Sequence, residues 1–219
     1  LRFHDRTELA GDGWDRVQDA IDDDLKEDEP LGRTVSLEKR VERQRKYSEL
    51  RRDVNVARLV EHGDEVSGFT FYHTPGHAPD ELTVQKRGVL FAGDHIMQGS
   101  TVVINPPDGD MKAYVESLYE LLEEPVRFIA PAHGFLMGQP EAVIDYLITH
   151  RLSREHKIFR ALEALAPVSL KDLTAKAYDD VPAAIHGLAA RSALAHLLKL
   201  EAEHRAFQKD ELWHTVHPA

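Results

Sequence analysis

The sequence contains no cysteine. That absence excludes a disulfide framework and a thiolate metal site, so any metal must be held by His, Asp or Glu. It also agrees with a cytoplasmic location, where disulfides are rare. No apolar run approaches the ~20 residues of a membrane span, and no secretory leader pattern opens the chain, so a membrane is not an expected partner. Internal repeats and low-complexity tracts are absent too. The first residue is Leu1 rather than Met, with no processing signal before it, which predicts that the sequence belongs to a longer polypeptide.

What is present is a globular composition of 219 residues, 42% hydrophobic and 30% charged, enough for one large domain or for one domain and a small companion. Charge is unevenly spread. Residues 1–149 carry 17 Lys+Arg against 29 Asp+Glu, a balance of −12, whereas residues 150–219 carry 10 against 9, a balance of +1. The acidic part would repel a polyanion over most of its surface. The shift in composition predicts a domain boundary near residue 150.

Residues 1–53 read as a polar and helical insertion or lid, with the acidic run "DAIDDDLKEDEP" and an exposed helix over 36–52 capped by Ser36. From residue 54 the pattern becomes β-like. "VNVARLV", "GFTFYH", "ELTVQ" and "GVLFAG" are rich in Val, Phe, Tyr, Thr and Leu and are separated by turn residues. Asp110 then caps a helix whose Met111, Tyr114, Val115, Leu118, Leu121 and Leu122 share one face. A strand "VRFIA" follows at 126–130. This order predicts a layered α/β domain over 54–149. Residues 150–219 read as helical, in a stretch beginning at Pro140 that forms one bent helix or two in succession. Ser169 and Asp172 stand in capping-box positions, Pro182 suits a first helical turn, and "AFQKDELWHTV" suits a small hairpin. Three helices and a hairpin give the order of a winged-helix module.

Three motifs place metal-competent side chains just beyond strand ends, where α/β folds build their sites: "HTPGH" with His77, "LFAGDH" with Asp94, and "APAHG" with His133. Gly76, Gly93 and Gly134 beside them let the backbone turn tightly and approach a ligand. Imidazole and carboxylate are the ligands zinc takes without thiolates, and a carboxylate between two metals can bridge them.

In these motifs, residues 54–140 resemble the second half of the metallo-β-lactamase fold, an αββα sandwich found in glyoxalase II and many related hydrolases. The resemblance implies that His77 ligates a first metal, Asp94 bridges two, and His133 ligates the second, with zinc as the expected ion. Ala132 stands where that family usually has Gly, a difference of one methyl group. "GDHIMQGSTVVINPPDGDMKAYVESL", "HRLSREHKIFRAL" and "AHLLKLEAEHRAF" extend the resemblance to the β-lactamase-like protein 2 subfamily, which adds a C-terminal winged helix. The expected fold is therefore the C-terminal part of the sandwich followed by a small winged-helix domain.

The family's principal metal motif, His-x-His-x-Asp-His, is absent from the sequence: His4 has no His two residues away, and His62 stands alone. Without it each metal would have two of the three or four protein ligands that zinc normally needs. The expectation is a binuclear zinc hydrolase of an ester, thioester or related small molecule, active in a longer form that carries the motif. The alternatives are a single-strand endoribonuclease, an activity known within the resembled subfamily, and a non-catalytic winged-helix binding module. His73, His95, Ser100 and Thr101 are secondary candidates near the ligands or the substrate. Arg151, Arg154, Lys157 and Arg160 form a basic helical stripe that would serve as phosphate contacts if RNA were the substrate.

Overall fold

The computed structural model describes residues 59–216. The segment 1–53 with its expected helix lies outside that range, as does most of the first expected strand; its last two residues, Leu59 and Val60, are in no strand.

The other β-like runs form a five-stranded sheet. A two-residue strand not foreseen in the sequence, β1 (Glu65–Val66), pairs with β2 (Phe69–His73), followed in space by β3 (Leu82–Lys86), β4 (Val89–Gly93) and β5 (Phe128–Pro131). Strands β1 to β4 form an antiparallel meander, and β5 joins β4 in parallel. Parallel neighbours need a crossover; here it is helix α1 (Met111–Leu122). Asp110 caps α1 as expected, its Oδ1 accepting from Lys112 N at 2.7 Å and Ala113 N at 3.0 Å. Five of the six apolar positions expected on its inner face are buried, and Leu122 is partly so.

Alternation along the strands decides the faces of the sheet. Leu90, Ala92 and Ile129 turn inward onto Tyr114 and Leu118 of α1 and Ile144 and Leu147 of α2 (Pro140–Leu165). Phe91 and Phe128, one residue out of phase, are about half exposed. Each fully buried Leu or Ile contributes about 1.5–3 kcal/mol relative to exposure.

Helix α2 is a single helix of 26 residues. Its first half belongs to the core just described, whereas Ile158, Ala161 and Leu162 enter a second core with Leu173, Leu197, Leu200 and Trp213. That second core comprises β6 (Val168–Ser169), α3 (Leu170–Ala177), α4 (His186–Ala202) and the hairpin β7 (Ala206–Lys209) and β8 (Leu212–Thr215). Ser169 caps α3, its Oγ accepting from Asp172 N at 3.1 Å. Strand β6 pairs with β8, so the hairpin becomes a three-stranded wing. Among the described residues, no helix is long and apolar enough to cross a membrane.

Candidate metal site at the strand ends

Strand direction explains why three separate motifs converge. Strands β2 and β4 both run antiparallel to β3, and β5 runs parallel to β4, so β2, β4 and β5 point the same way. Their C-terminal ends lie along one sheet edge, and the loops leaving that edge carry His77, Asp94 and His133. Neighbouring strands lie ~4.8 Å apart. Asp94 and His133 leave adjacent strands, and His133 Nε2 lies 3.4 Å from Asp94 Oδ1. His77 follows β2, which is two strands from β4, so roughly 10 Å of sheet separates the strand ends that carry them. Among the described residues, no three His, Asp or Glu side chains come close enough together to hold a metal ion.

The surroundings of the individual side chains differ. His77 Nδ1 lies 3.0 Å from the carbonyl oxygen of Val103. A ring nitrogen beside a carbonyl donates, so in the neutral ring the proton sits on Nδ1 and Nε2 carries the lone pair, the tautomer that a metal takes. Asp94 Oδ1 is buried yet makes no hydrogen bond; its contact with His133 is an ion-pair distance without hydrogen-bond alignment. A buried, unmatched carboxylate oxygen is costly unless a cation or donor meets it. His133 is 73% exposed, on an open loop.

Glycine shapes two of these loops. Gly76 has φ +144°, and a β-carbon there would lie 2.4 Å from Tyr114 Cα, so the loop carrying His77 touches the backbone of α1. Gly134 has φ +114°, and a β-carbon there would lie 2.4 Å from Gln98 Cβ. Gln98, which no periodicity singles out, laces two ligand loops together: its backbone N donates to His133 O at 3.1 Å, and its Oε1 accepts from Phe135 N at 2.7 Å.

The secondary candidates take different places. His73 is exposed, and its Nε2 lies 2.9 Å from Pro79 O, closing the base of the loop that carries His77. His95 is fully buried, its ring packed at 4.9 Å from that of Tyr114, and Nδ1 lies 3.5 Å from Glu81 Oε2. The Tyr114 hydroxyl donates to its carbonyl at 2.9 Å. His95 therefore anchors the segment behind Asp94, with Glu81 of "HAPDEL" as a partner that the sequence did not reveal. Ser100 and Thr101 line a cleft between the loop after Asp94 and the start of α2.

The structure places the four cations of the basic stripe differently. Its spacing of three drifts around α2, so the four cations do not share one solvent-facing row. Arg151 is 4% exposed and donates to Val102 O. Arg154 makes a bidentate pair with Asp180 at 2.9 and 3.1 Å, which holds that carboxyl far below the usual carboxylate range. Lys157 reaches Asp180 at 3.0 Å, and Arg160 pairs with Glu163 at 2.9 Å.

Comparison with known proteins agrees with this architecture. The profile of the Metallo-beta-lactamase superfamily matches residues 11–133, reaching upstream of the described strands, and that of the Beta-lactamase associated winged helix domain matches residues 169–213. The chain is 33% identical over 134 residues to the β-lactamase-like protein 2 homolog of Drosophila melanogaster, covering 60% of this chain and 44% of the relative. To that of Caenorhabditis elegans it is 32% identical over 128 residues, 58% of this chain and 42% of the relative. The matched stretch thus spans less than half of either relative. Among solved structures, a metallo-β-lactamase family protein from Thermus thermophilus aligns with TM-score 0.62 at 18% identity, over 93% of this chain and 64% of that one. A β-lactamase domain protein from Burkholderia ambifaria aligns with TM-score 0.63 at 21% identity, over 78% and 56%. These two establish a shared fold. The superfamily profile runs through His77, Asp94 and His133 and covers more than half of the sequence, and on that ground the chain belongs to the metallo-β-lactamase superfamily.

Proposed function

We propose that this chain is the C-terminal part of a binuclear zinc hydrolase acting on an ester, thioester or related small substrate. The observation that carries the reading is that β2, β4 and β5 run in one direction, so the loops carrying His77, Asp94 and His133 all leave one end of the sheet. Their donor chemistry fits zinc: two imidazoles and a carboxylate, with one ring held in the ligating tautomer and one buried carboxylate oxygen left unmatched. Two zinc ions, when bound, would supply Lewis-acid polarisation of a carbonyl and a water acidified toward neutral pH. The chain's own residues hold and orient. Val103 O aims the His77 ring, Gln98 ties the His133 loop to the Asp94 loop, and His95 with Tyr114 fixes the backbone next to Asp94. Three donors are too few for two zinc ions, so the rest of the set belongs to the absent His-x-His-x-Asp-His motif, supplied by chain beyond this sequence.

The endoribonuclease reading loses support from the ion pairing of the basic stripe, and no observation favours a non-catalytic winged-helix binding module. The deciding experiment uses the complete polypeptide loaded with zinc. Asp94→Asn is expected to lower bound zinc by one equivalent or more per chain, measured by mass spectrometry of the metal. Hydrolysis of 4-nitrophenyl acetate and of an acyl thioester should fall at least a hundredfold. Unchanged zinc content together with unchanged turnover would refute the assignment.

A further inference from the structure

We infer that the cleft between the Met97–Thr101 loop and the first turns of α2 receives the uncharged, apolar acyl portion of the substrate hydrolysed at the neighbouring strand ends. The inference rests on the hydrolase reading for the word substrate, but the cleft itself is argued from its own walls.

One wall is a helix face. Ala142, Val143, Tyr146, Leu147 and His150 follow the i, i+1, i+4, i+5, i+8 pattern that places side chains on one side of a helix. The opposite wall is the loop that follows Asp94, and the floor comes from Met137 to Gln139, a few residues beyond His133. Two of the three ligand loops therefore run directly into the cleft, and the bonds made by Gln98 hold them side by side there. A molecule positioned at Asp94 and His133 has this space as its continuation.

The chemistry of the walls selects the occupant. The volume is about 480 Å³, within the range of small-molecule sites. Met97 and Met137 offer flexible thioethers that adapt to an alkyl chain, and Val143 and Leu147 add branched apolar surface. Among the described residues that line it, none carries a carboxylate, an ammonium or a guanidinium. His150 closes one end. Burial, followed by the charges of Arg151 and Arg154, pushes its pKa below the ordinary value, so the ring is neutral at physiological pH. Neighbouring Arg151 is buried, turned to Val102 O, and does not line the cleft. Such walls have nothing to neutralise a phosphate or a free carboxylate, and they penalise desolvating either one. The Ser100 and Thr101 hydroxyls supply hydrogen bonds that suit an amide or ester group at the mouth.

The test uses the complete zinc-loaded protein and two helix variants. Ala142→Trp places an indole from the helix wall into the cleft; Asp145→Trp places one on the exposed side of the same helix. Binding of N-methyloctanamide is measured by calorimetry, with N-methylacetamide as the short control. In parallel, kcat/KM is measured for 4-nitrophenyl octanoate and 4-nitrophenyl acetate. The expected result is that the octanamide binds the wild type. Ala142→Trp should weaken it tenfold or more and lower the octanoate-to-acetate ratio by a similar factor, with Asp145→Trp at wild-type values. No binding by the wild type, or an affinity and a ratio unaltered in Ala142→Trp, overturns the proposal. If the octanamide binds and Ala142→Trp blocks it while no ester is hydrolysed, the cleft stands and the hydrolase reading falls. If esters are hydrolysed with one chain-length ratio in all three proteins, the hydrolase reading stands and the cleft falls.

Discussion

A β-carbon added at Gly76 would lie 2.4 Å from both Cα and Cβ of Tyr114 and 2.7 Å from its backbone N. Those atoms belong to the body of α1, so no rotamer change can clear the clash. The backbone at φ +144° adds strain for any L side chain. Relief would have to come from the loop itself, which also receives the Asp110 N–H on Gly76 O at 2.8 Å. Gly76→Ala is therefore expected to destabilise the protein by about 3 kcal/mol and to displace His77. Gly138, with open space around its position, is the control, and Gly138→Ala should cost less than ~0.5 kcal/mol. Urea midpoints of the two variants decide the matter; equal midpoints would mean that the close approach to α1 carries no weight. The same residues show what the sequence disclosed at this scale. The position of His77, Asp94 and His133 just past strand ends was legible because each sits beside glycine after a β-like run. Glu81 and Gln98 were not, since a partner 14 residues distant or a loop amide stitched to another loop leaves no periodic trace.

Elements were legible in proportion to how far local chemistry decides them. Strands β2 to β5 followed from β-branched and aromatic runs, and α1 and α3 from their caps. Strands β1 and β6, of two residues each, exist only because a neighbour pairs with them, and sequence pattern does not register that. Between α2 and α4 lies a further feature that only packing reveals. His196 of α4 is 1% exposed, neither ring nitrogen makes a hydrogen bond, and Nδ1 lies 3.5 Å from Glu155 Oε2 of α2. Lys199 Nζ reaches both oxygens of Glu155 at 3.0 and 2.9 Å. Burial drives the His196 pKa below its ordinary 6.5, against the opposing pull of Glu155. For Glu155 burial alone would raise the pKa, but His196 and Lys199 outweigh it and hold the pKa below 4.5. Both groups are depressed in the folded state, so each contributes stability that is complete above its unfolded value and lost as pH falls. His196 accounts for the loss beginning below pH 6.5, and Glu155 adds a second loss below pH 4.5. Between pH 7.5 and 5.5 the wild type should lose stability at up to about 1.4 kcal/mol per pH unit once the window is entered. His196→Gln removes the titrating ring and should flatten that decline. Urea unfolding at the two pH values measures it, and parallel losses in both proteins would show that the acid sensitivity originates elsewhere.

At the scale of the molecule, the shift in charge near residue 150 pointed to a boundary, and the structure runs helix α2 straight through that position. Ile144, Leu147 and Ile148 lie in the first core, and Ile158 and Leu162 in the second; Ala195 of α4 also enters the first. Charge composition tracks surface, whereas cores are shared through apolar residues, so the two boundaries need not coincide. The same distinction bears on nucleic acid. The sequence offered a net charge of −11 together with a basic stripe, two features that argue in opposite directions. In the structure each stripe cation has a partner within the chain, Arg151 a carbonyl, Arg154 and Lys157 Asp180, and Arg160 Glu163, although Lys157 and Arg160 stay exposed. On α4, Lys199 is engaged by Glu155 and Glu203, which leaves Arg191 as its exposed cation. Arg205, just beyond α4, stacks over Phe159 within 3.6 Å of Glu155 and 3.5 Å of Glu203. If the stripe takes no part and only about two other cations meet phosphates, the single-strand salt slope should be near −1.4, or about sevenfold weaker binding between 50 and 200 mM salt. One that tracks six phosphates would lose about 300-fold over the same interval. Titration of a fluorescent single-stranded RNA against the complete protein at the two salt concentrations distinguishes these cases. The shallow slope is the expected result. A steep one would mean that cations beyond the stripe, such as the exposed Lys171, Lys176, Arg191 and Lys209, track the strand, and would return the endoribonuclease reading to first place.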